Sequence, residues 1–497
     1  MDIRKSFFAT VHGKNHHWWS LIVTSLGTFM TTYDMGAVTI SLPQIMTEFR
    51  ASLTLTSWVL LAQLLTATAL LLPAGRLGDI VGRKKIYNLG FVVFIIGSLL
   101  SSLSQNLPQL ILCRILQAGG ASMIQTSNFA MVTAVFPDRE RGKGLGINSG
   151  VAAFGATAGP AIGGLILSTL GWRAIFFVNV PVGIAGGLLA YLILQEKRVS
   201  APPERVVRSF DVIGACLSTV AIGSLVAGLS FGQERGWSSI ETRLFLVASA
   251  AAIVIFPWFE SRQKHPLVAT SLLTNRPFAL NNMARCTLFM AMQANILLMP
   301  FYLQIVLGYS PLETGMLIAP TSLVIAASTP MAGWAVTWVN SRYLSALGMA
   351  VMGVGLFLVT QLGVSSNYHE VLWRLIVMGL GYGMFQAPNN TSVMDSVTRD
   401  KFGIASGIMS LGREVGRSTG TALASAIVVT SMFSTVGAVS LYSIRAQGAA
   451  AVQGPALLAF SDGIARAYLV AALICIPGVI FCLARGKTAR DEGKLNG

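Results

Sequence analysis

Gly75-Arg76-Leu77-Gly78-Asp79-Ile80-Val81-Gly82-Arg83-Lys84-Lys85 is the stretch on which the fold of this chain turns. It crowds Arg76, Asp79, Arg83, Lys84 and Lys85 between two long apolar runs, one starting near Trp58 and the next near Ile86. A helix needs about 20 apolar residues to cross the hydrocarbon of a bilayer. The segment therefore reads as a tight loop joining two membrane spans. Its glycines permit the turn, Asp79 can cap a neighbouring helix N-terminus, and the basic run anchors one membrane face.

Working outward, apolar runs of that length recur along the whole chain. They start near Trp19, Trp58, Ile86, Pro108, Gly144 and Trp172, then near Val212 and Leu244. Six more start near Phe278, Glu313, Tyr343, Val371, Phe402 and Gly463, giving fourteen expected spans. Charged residues are 11% of the 497 positions, against roughly 25% in a soluble domain. Hydrophobic residues reach 53%, so lipid must be the solvent for most of the surface. The first run, near Trp18, is too long for a signal-peptide core and is expected to stay in the protein. Links are short except Val199–Ser209, Ser261–Pro277 and the Ala/Gly-rich Ser434–Phe460, where a short interfacial helix is expected.

The net charge of +15 does not mark a nucleic-acid binder, because the basic residues are short clusters between apolar runs. Clusters at Arg4/Lys5/Lys14, Arg76–Lys85, Arg139/Arg141/Lys143 and Lys197–Arg208 all fall on one side. Those at Arg262/Lys264/Arg276, Arg342, Arg399/Lys401 and Arg485–Lys494 fall there too. The other side holds only Arg50, Arg173, Arg235, Arg243 and Arg445. The positive-inside rule then predicts an even span count with both termini in the cytoplasm.

A shift of 260 residues aligns Phe29-Met30 with Phe289-Met290, Gln44-Ile45 with Gln304-Ile305, Arg114 with Arg374 and Gly119 with Gly379. That predicts an all-α membrane protein of two parallel six-helix bundles, 1–197 and 265–497. A linker and two inserted helices occupy 198–264. Repeats of this kind flank a midplane substrate site in secondary transporters.

Three motifs carry a resemblance. Gly75 to Lys85 resembles the loop signature of the major facilitator superfamily, departing at Ile80, where that family often has a basic residue. The resemblance implies a gating role for Gly75, Asp79, Gly82 and Arg83. Gly155, Gly159, Pro160, Gly163 and Gly164 resemble the superfamily's antiporter motif. Glycines give a flat packing face, and Pro160 removes a backbone bond and bends the helix. Around Asp34, Thr31 to Pro43 is similar to the first-helix motif of the fourteen-helix drug:proton antiporter branch, with Gly36 and Ser41 replacing its usual Thr and Ala. Trp172–Gly183 and Tyr302–Pro311 also resemble that branch.

Asp34 stands out on physical grounds too. A carboxylate inside a bilayer is costly and usually faces the bundle interior on an ion or substrate path. Asp34 lies roughly 12 Å from the Leu42 end of its helix and Arg114 roughly 9 Å from the Pro108 end of its own, at 1.5 Å per residue. Matching depths allow a pair, which is either the proton-coupling site or a static packing bridge. Arg114-Ile-Leu-Gln117 with Gly119-Gly120 also resembles the superfamily's fourth-helix motif.

Arg413-Glu414-Val-Gly416-Arg417 lies about ten residues into the thirteenth run. Glu414 and Arg417, three apart, share a helix face. They read as a self-neutralising pair, a second proton site or part of an anionic-substrate pocket. Glu414 and Arg417 depart from the relatives that this chain resembles. Tyr33, Gln63, Gln125, Asn148, Gln293, Arg413 and Arg417 are the candidates for lining a substrate cavity. Other span polar residues, Gln117 and Asn179 among them, are expected mainly to pack helices.

Absences narrow the function. Gly142-Lys143-Gly144 lacks the rest of a phosphate-binding loop, and no nucleophile elbow or metal-ligand helix is present. The five cysteines, all in apolar runs, have no disulfide or zinc spacing. The histidines lie outside the spans, which speaks against a histidine proton relay. The expectation is thus a transporter rather than an enzyme: a proton-driven exporter of small amphipathic, drug-like compounds in the cell (inner) membrane. It would use no cofactor beyond the coupling proton, with substrate and bilayer as partners. Asp34 would offer a cationic cargo its negative partner. Rival readings are a dedicated exporter of one metabolite, lipid or peptide, favoured if Arg285, Arg374, Arg413 and Arg417 meet an anion, and an uncoupled facilitator or sensor. Whether a periplasmic adaptor takes part is left open by the sequence.

Overall fold

The computed structural model describes residues 16–137, 140–199, 212–236, 238–260, 262, 274–397, 402–436 and 455–486, apart from a few side chains within helices. Among these, the chain forms fourteen helices of nineteen residues or more and no strand. They are α1 His16–Glu48, α2 Leu53–Val81, α3 Arg83–Ser102, α4 Leu107–Val135, α5 Arg141–Leu170, α6 Trp172–Ile193, α7 Val212–Arg235 and α8 Ile240–Glu260. The remainder are α9 Arg276–Phe301, α10 Pro311–Ala335, α11 Ser341–Val359, α12 Tyr368–Asp395, α13 Phe402–Val436 and α14 Pro455–Ala484. Ten of the described helices are long and apolar enough to cross a membrane. Most of the link expected to hold an interfacial helix, 437–454, lies outside the described residues.

Local chemistry explains the helix starts. Asn106, Asn275, Asn340 and Asn367 each accept a hydrogen bond from a backbone N–H of the first turn of α4, α9, α11 and α12. Ser310 and Glu313 form a reciprocal capping box at α10, satisfying donors that a helix start leaves open. Gly82, between α2 and α3, has φ +115°, a conformation that an L side chain rarely adopts. Prolines 43, 73, 160, 181, 300, 320, 330, 388 and 477 lie inside helices that continue through them. Just past Pro300, α9 ends in a π turn, Tyr302–Val306.

The helices cluster into two compact units: 1–38 with 66–212, and 39–65 with 213–497. The first holds most of α1, the later part of α2, and α3–α6. Its α3 and α4 approach through glycines, for a Cβ on Gly90 would come 3.0 Å from Gly120 O and one on Gly97 2.6 Å from Gln117 Cα. Behind them lies a core of Val23, Met30, Tyr87, Phe91, Phe94 and Ile124.

The second unit repeats the device. A Cβ on Gly348 of α11 would come 2.9 Å from Gly381 O of α12, and one on Gly355 2.7 Å from Met378 Cα. The pairs α3/α4 and α11/α12 are the third and fourth helices expected in each half, and both approach through glycine. Helix α7 packs here as well, with Ile222 and Val226 in a cluster with Leu61 of α2 and Ala422 of α13. Ser249 of α8 donates to Ala221 O of α7 at 2.8 Å. All five cysteines are free.

Candidate functional site

Asp34 sits inside α1 and is fully buried. Arg114, equally buried on α4, donates from Nη1 to Asp34 Oδ2 at 2.9 Å. Gln117 Nε2 and Asn179 Nδ2 donate to Asp34 Oδ1 at 3.0 and 2.7 Å. Gln117 also accepts from Arg114 and donates to Ser98 Oγ of α3 at 2.8 Å. The Phe176 ring of α6 stacks against the Arg114 guanidinium, 5.5 Å from its centroid. Three helices, α1, α4 and α6, thus meet at one carboxylate, and α3 joins them through Gln117. The depth argument finds the Asp34–Arg114 pair, but Gln117 and Asn179, expected mainly as packing residues, are direct partners. Both Asp34 oxygens are engaged by this protein's own donors, so the carboxylate does not stand open to a cationic cargo.

The small residues of α5 pack on the same helix. Cβ atoms on Gly159 and Gly163 would lie 2.8 Å from Tyr33 O and 2.7 Å from Ala37 Cα. One on Gly36 would lie 2.8 Å from Pro160 Cδ, which explains why this chain carries glycine there. Gly155 abuts Thr32 and Phe29, and Gly164 is buried. The antiporter-like motif is therefore pressed against the turns of α1 that carry Asp34.

In the loop stretch, Gly75 and Asp79 belong to α2, and the Asp79 side chain lies outside the described residues. Arg83 donates from Nη1 to Ala130 O of α4 at 3.0 Å. Glu196, in a four-residue helix after α6, accepts from Lys84 N at 3.3 Å.

The cavity candidates divide. Tyr33 is buried with no partner for its hydroxyl, stacked 5.9 Å from Phe29. Asn148 accepts from Thr28 Oγ1 at 3.0 Å and joins Asn128. Gln125 is exposed, and Gln63 of α2 is half-buried. In the second unit, Gln293 is fully buried with neither amide atom paired. Arg413 Nε donates to Glu414 Oε1 at 3.0 Å, and Arg417 Nη1 lies 3.5 Å from the same oxygen. Arg374 instead donates to Glu370 O at 2.8 Å.

Two buried charges, Glu260 at the end of α8 and Arg485, are not singled out by the sequence. Arg485 reads there as a loop anchor, yet it is 1% exposed and donates to Asn281 Oδ1 at 3.3 Å and Ser341 Oγ at 2.7 Å. Its place directly after the apolar run of α14 does not distinguish a buried arginine from a loop anchor.

Ten of the described helices, long and apolar enough to cross a bilayer, define a multi-pass membrane protein. The sequence profile of the Major Facilitator Superfamily matches residues 24–421, and the chain belongs to that superfamily. It is 32% identical over 413 residues to "Multidrug resistance protein Stp" of Mycobacterium tuberculosis, covering 82% of this chain and 75% of that one. It is 31% identical over 418 residues to "Riboflavin transporter RibZ" of Clostridioides difficile, covering 84% and 89%. Among solved structures, a bacterial homolog of the human lysosomal transporter Spinster, inward-facing and occupied, aligns with a TM-score of 0.67 at 16% identity. That alignment covers 97% of this chain and 99% of the other, and it bears on the fold alone.

Proposed function

We propose that this protein is a proton-coupled exporter of small amphipathic compounds, of the fourteen-helix drug:proton antiporter branch. It works by alternating access in the cell (inner) membrane, with fourteen spans and both termini in the cytoplasm. Its six-helix halves are 1–197 and 265–497, and 198–264 is an insertion. The observation that carries this reading is the carboxylate of Asp34, buried at the meeting of three helices with Arg114, Gln117 and Asn179 on its oxygens. Protonating it removes the charge that holds Arg114 and turns one acceptor oxygen into a donor. A proton can therefore loosen α1 from α4 and α6. The antiporter-like glycines of α5 lie against the same turns of α1, so that a shift there reaches a second helix.

Relatives bearing multidrug resistance names support a drug-like cargo, and one named for riboflavin supports a metabolite instead. The reading is tested in proteoliposomes by substrate-driven proton release, comparing wild type with Asp34→Asn at equal protein level. Coupled movement lost in Asp34→Asn supports it; undiminished coupling moves the proton site elsewhere, with Glu414 the next candidate.

A further inference from the structure

The second unit contains a charge cluster built differently from the pair at Asp34. Arg285 of α9 is 6% exposed, and the groups it touches are neutral: Nη1 donates to Asn390 Oδ1 of α12, and the guanidinium lies over the Phe289 ring, 5.4 Å from the centroid. Its Nε is buried with no acceptor. Gly416 brings α13 close, since a Cβ there would lie 3.1 Å from Phe289 Cβ. Arg413 and Glu414 of α13 interact electrostatically with Arg285, and Tyr382 of α12 with Arg285, Arg413 and Arg417. Arg413 and Arg417 both approach Oε1 of Glu414, whose Oε2 is buried and accepts nothing. Among the described residues of this cluster, the guanidinium groups of Arg413 and Arg417 share its one carboxylate, Glu414. Arg413 is the most open, with 31% of its side chain exposed against 7% for Glu414.

Buried charge is costly unless paired, and intramembrane charges mark substrate or ion paths. A deeply buried arginine facing neutral partners, beside a second arginine that is partly open, is short of an anion. Guanidinium groups bind planar carboxylates through paired N–H donors. We infer that Arg285 and Arg413 form a binding site for an anionic group of the cargo, a carboxylate foremost, and that Glu414 is the resident counter-ion which competes with it. The proposal rests on the exporter reading and deepens it. It makes the preferred cargo an amphipathic anion, with the acid held in the second unit and the proton handled in the first.

The test is equilibrium binding without any gradient, so its outcome is independent of proton coupling at Asp34. Purified full-length protein in phosphatidylcholine nanodiscs is titrated with pyrenebutyrate, pyrenebutanol and a pyrenebutyl trimethylammonium salt, which share one ring and differ in charge. Pyrenebutyrate should bind about tenfold more tightly than the alcohol, one decade being the scale of one charged contact. Arg285→Gln and Arg413→Gln should each erase that ratio while leaving pyrenebutanol binding in place, which also certifies their folding. Glu414→Gln should tighten pyrenebutyrate binding several-fold by removing the competitor. Equal affinity for the three probes, preference for the cation, or weaker anion binding in Glu414→Gln would overturn the assignment. So would loss of pyrenebutyrate binding when phosphatidylglycerol is added, which would make a lipid headgroup the occupant.

Discussion

Asp34 accepts two donors on one oxygen and a guanidinium on the other, and this asymmetry determines what its replacement does. Asparagine keeps the shape but turns one oxygen into an NH2 that must face a donor, and it leaves Arg114 buried without its charge partner. Breaking a buried pair from one side costs roughly 3–5 kcal/mol, so Asp34→Asn should lower thermal stability in detergent as well as coupling. Adding Arg114→Gln should recover part of that stability in the same melting assay, yet restore no coupled proton movement. A recovery of both would make the pair a packing bridge only. On α5, Gly163→Leu should reduce yield and melting temperature sharply, because its side chain would meet the α1 backbone. Gly150→Leu, where nothing lies within 4 Å, should change both little.

Among helices, the glycine approaches of α3 on α4 and α11 on α12 are the closest thing to a repeated mechanical part. Gly97→Val and Gly355→Val should each prise a helix pair apart and lower melting temperature by comparable amounts, as measured by light-scattering or fluorescence unfolding. Helix starts were legible because Asn, Ser-Pro and Pro signals sit at the ends of apolar runs. The structure begins α9 at Arg276 and α6 at Trp172, within two residues of the sequence reading. Helix α14 starts at Pro455 rather than near Gly463, because Ser461-Asp462 interrupts the apolar run and separates Leu457-Leu458-Ala459-Phe460 from the rest of it. Depth along two helices predicts the Asp34–Arg114 pair. Rotation about the helix axis is not encoded in one helix alone, so the roles of Gln117, Asn179 and Asn390 were hidden. Arg485 is hidden for a related reason: a charge just past an apolar run looks the same whether it points to water or back beneath its neighbours.

For the entire chain, the loop charge asymmetry makes topology the sharpest expectation. A reporter fused after Lys494 should read cytoplasmic and one inserted within Ser434–Phe460 external. An external C-terminus would overturn the even span count. Replacing polar side chains of α7 and α8 should leave the range of exported compounds unchanged in a resistance profile. These helices are expected to interrupt the 260-residue repeat, and no Asp, Glu, Lys or Arg occurs between Asp211 and Glu234 or between Arg243 and Glu260. Yet the inserted pair is not loosely attached. Ile222 and Val226 cover Leu61 and Ala422, with Trp58, Leu65, Leu411 and Val415 around them. A version pared down to twelve helices would expose Leu61 and Ala422 of that cluster to acyl chains. Native mass spectrometry of such a deletion should then find tightly retained phospholipid where the full-length protein keeps none, the insertion acting in effect as a covalently tethered lipid.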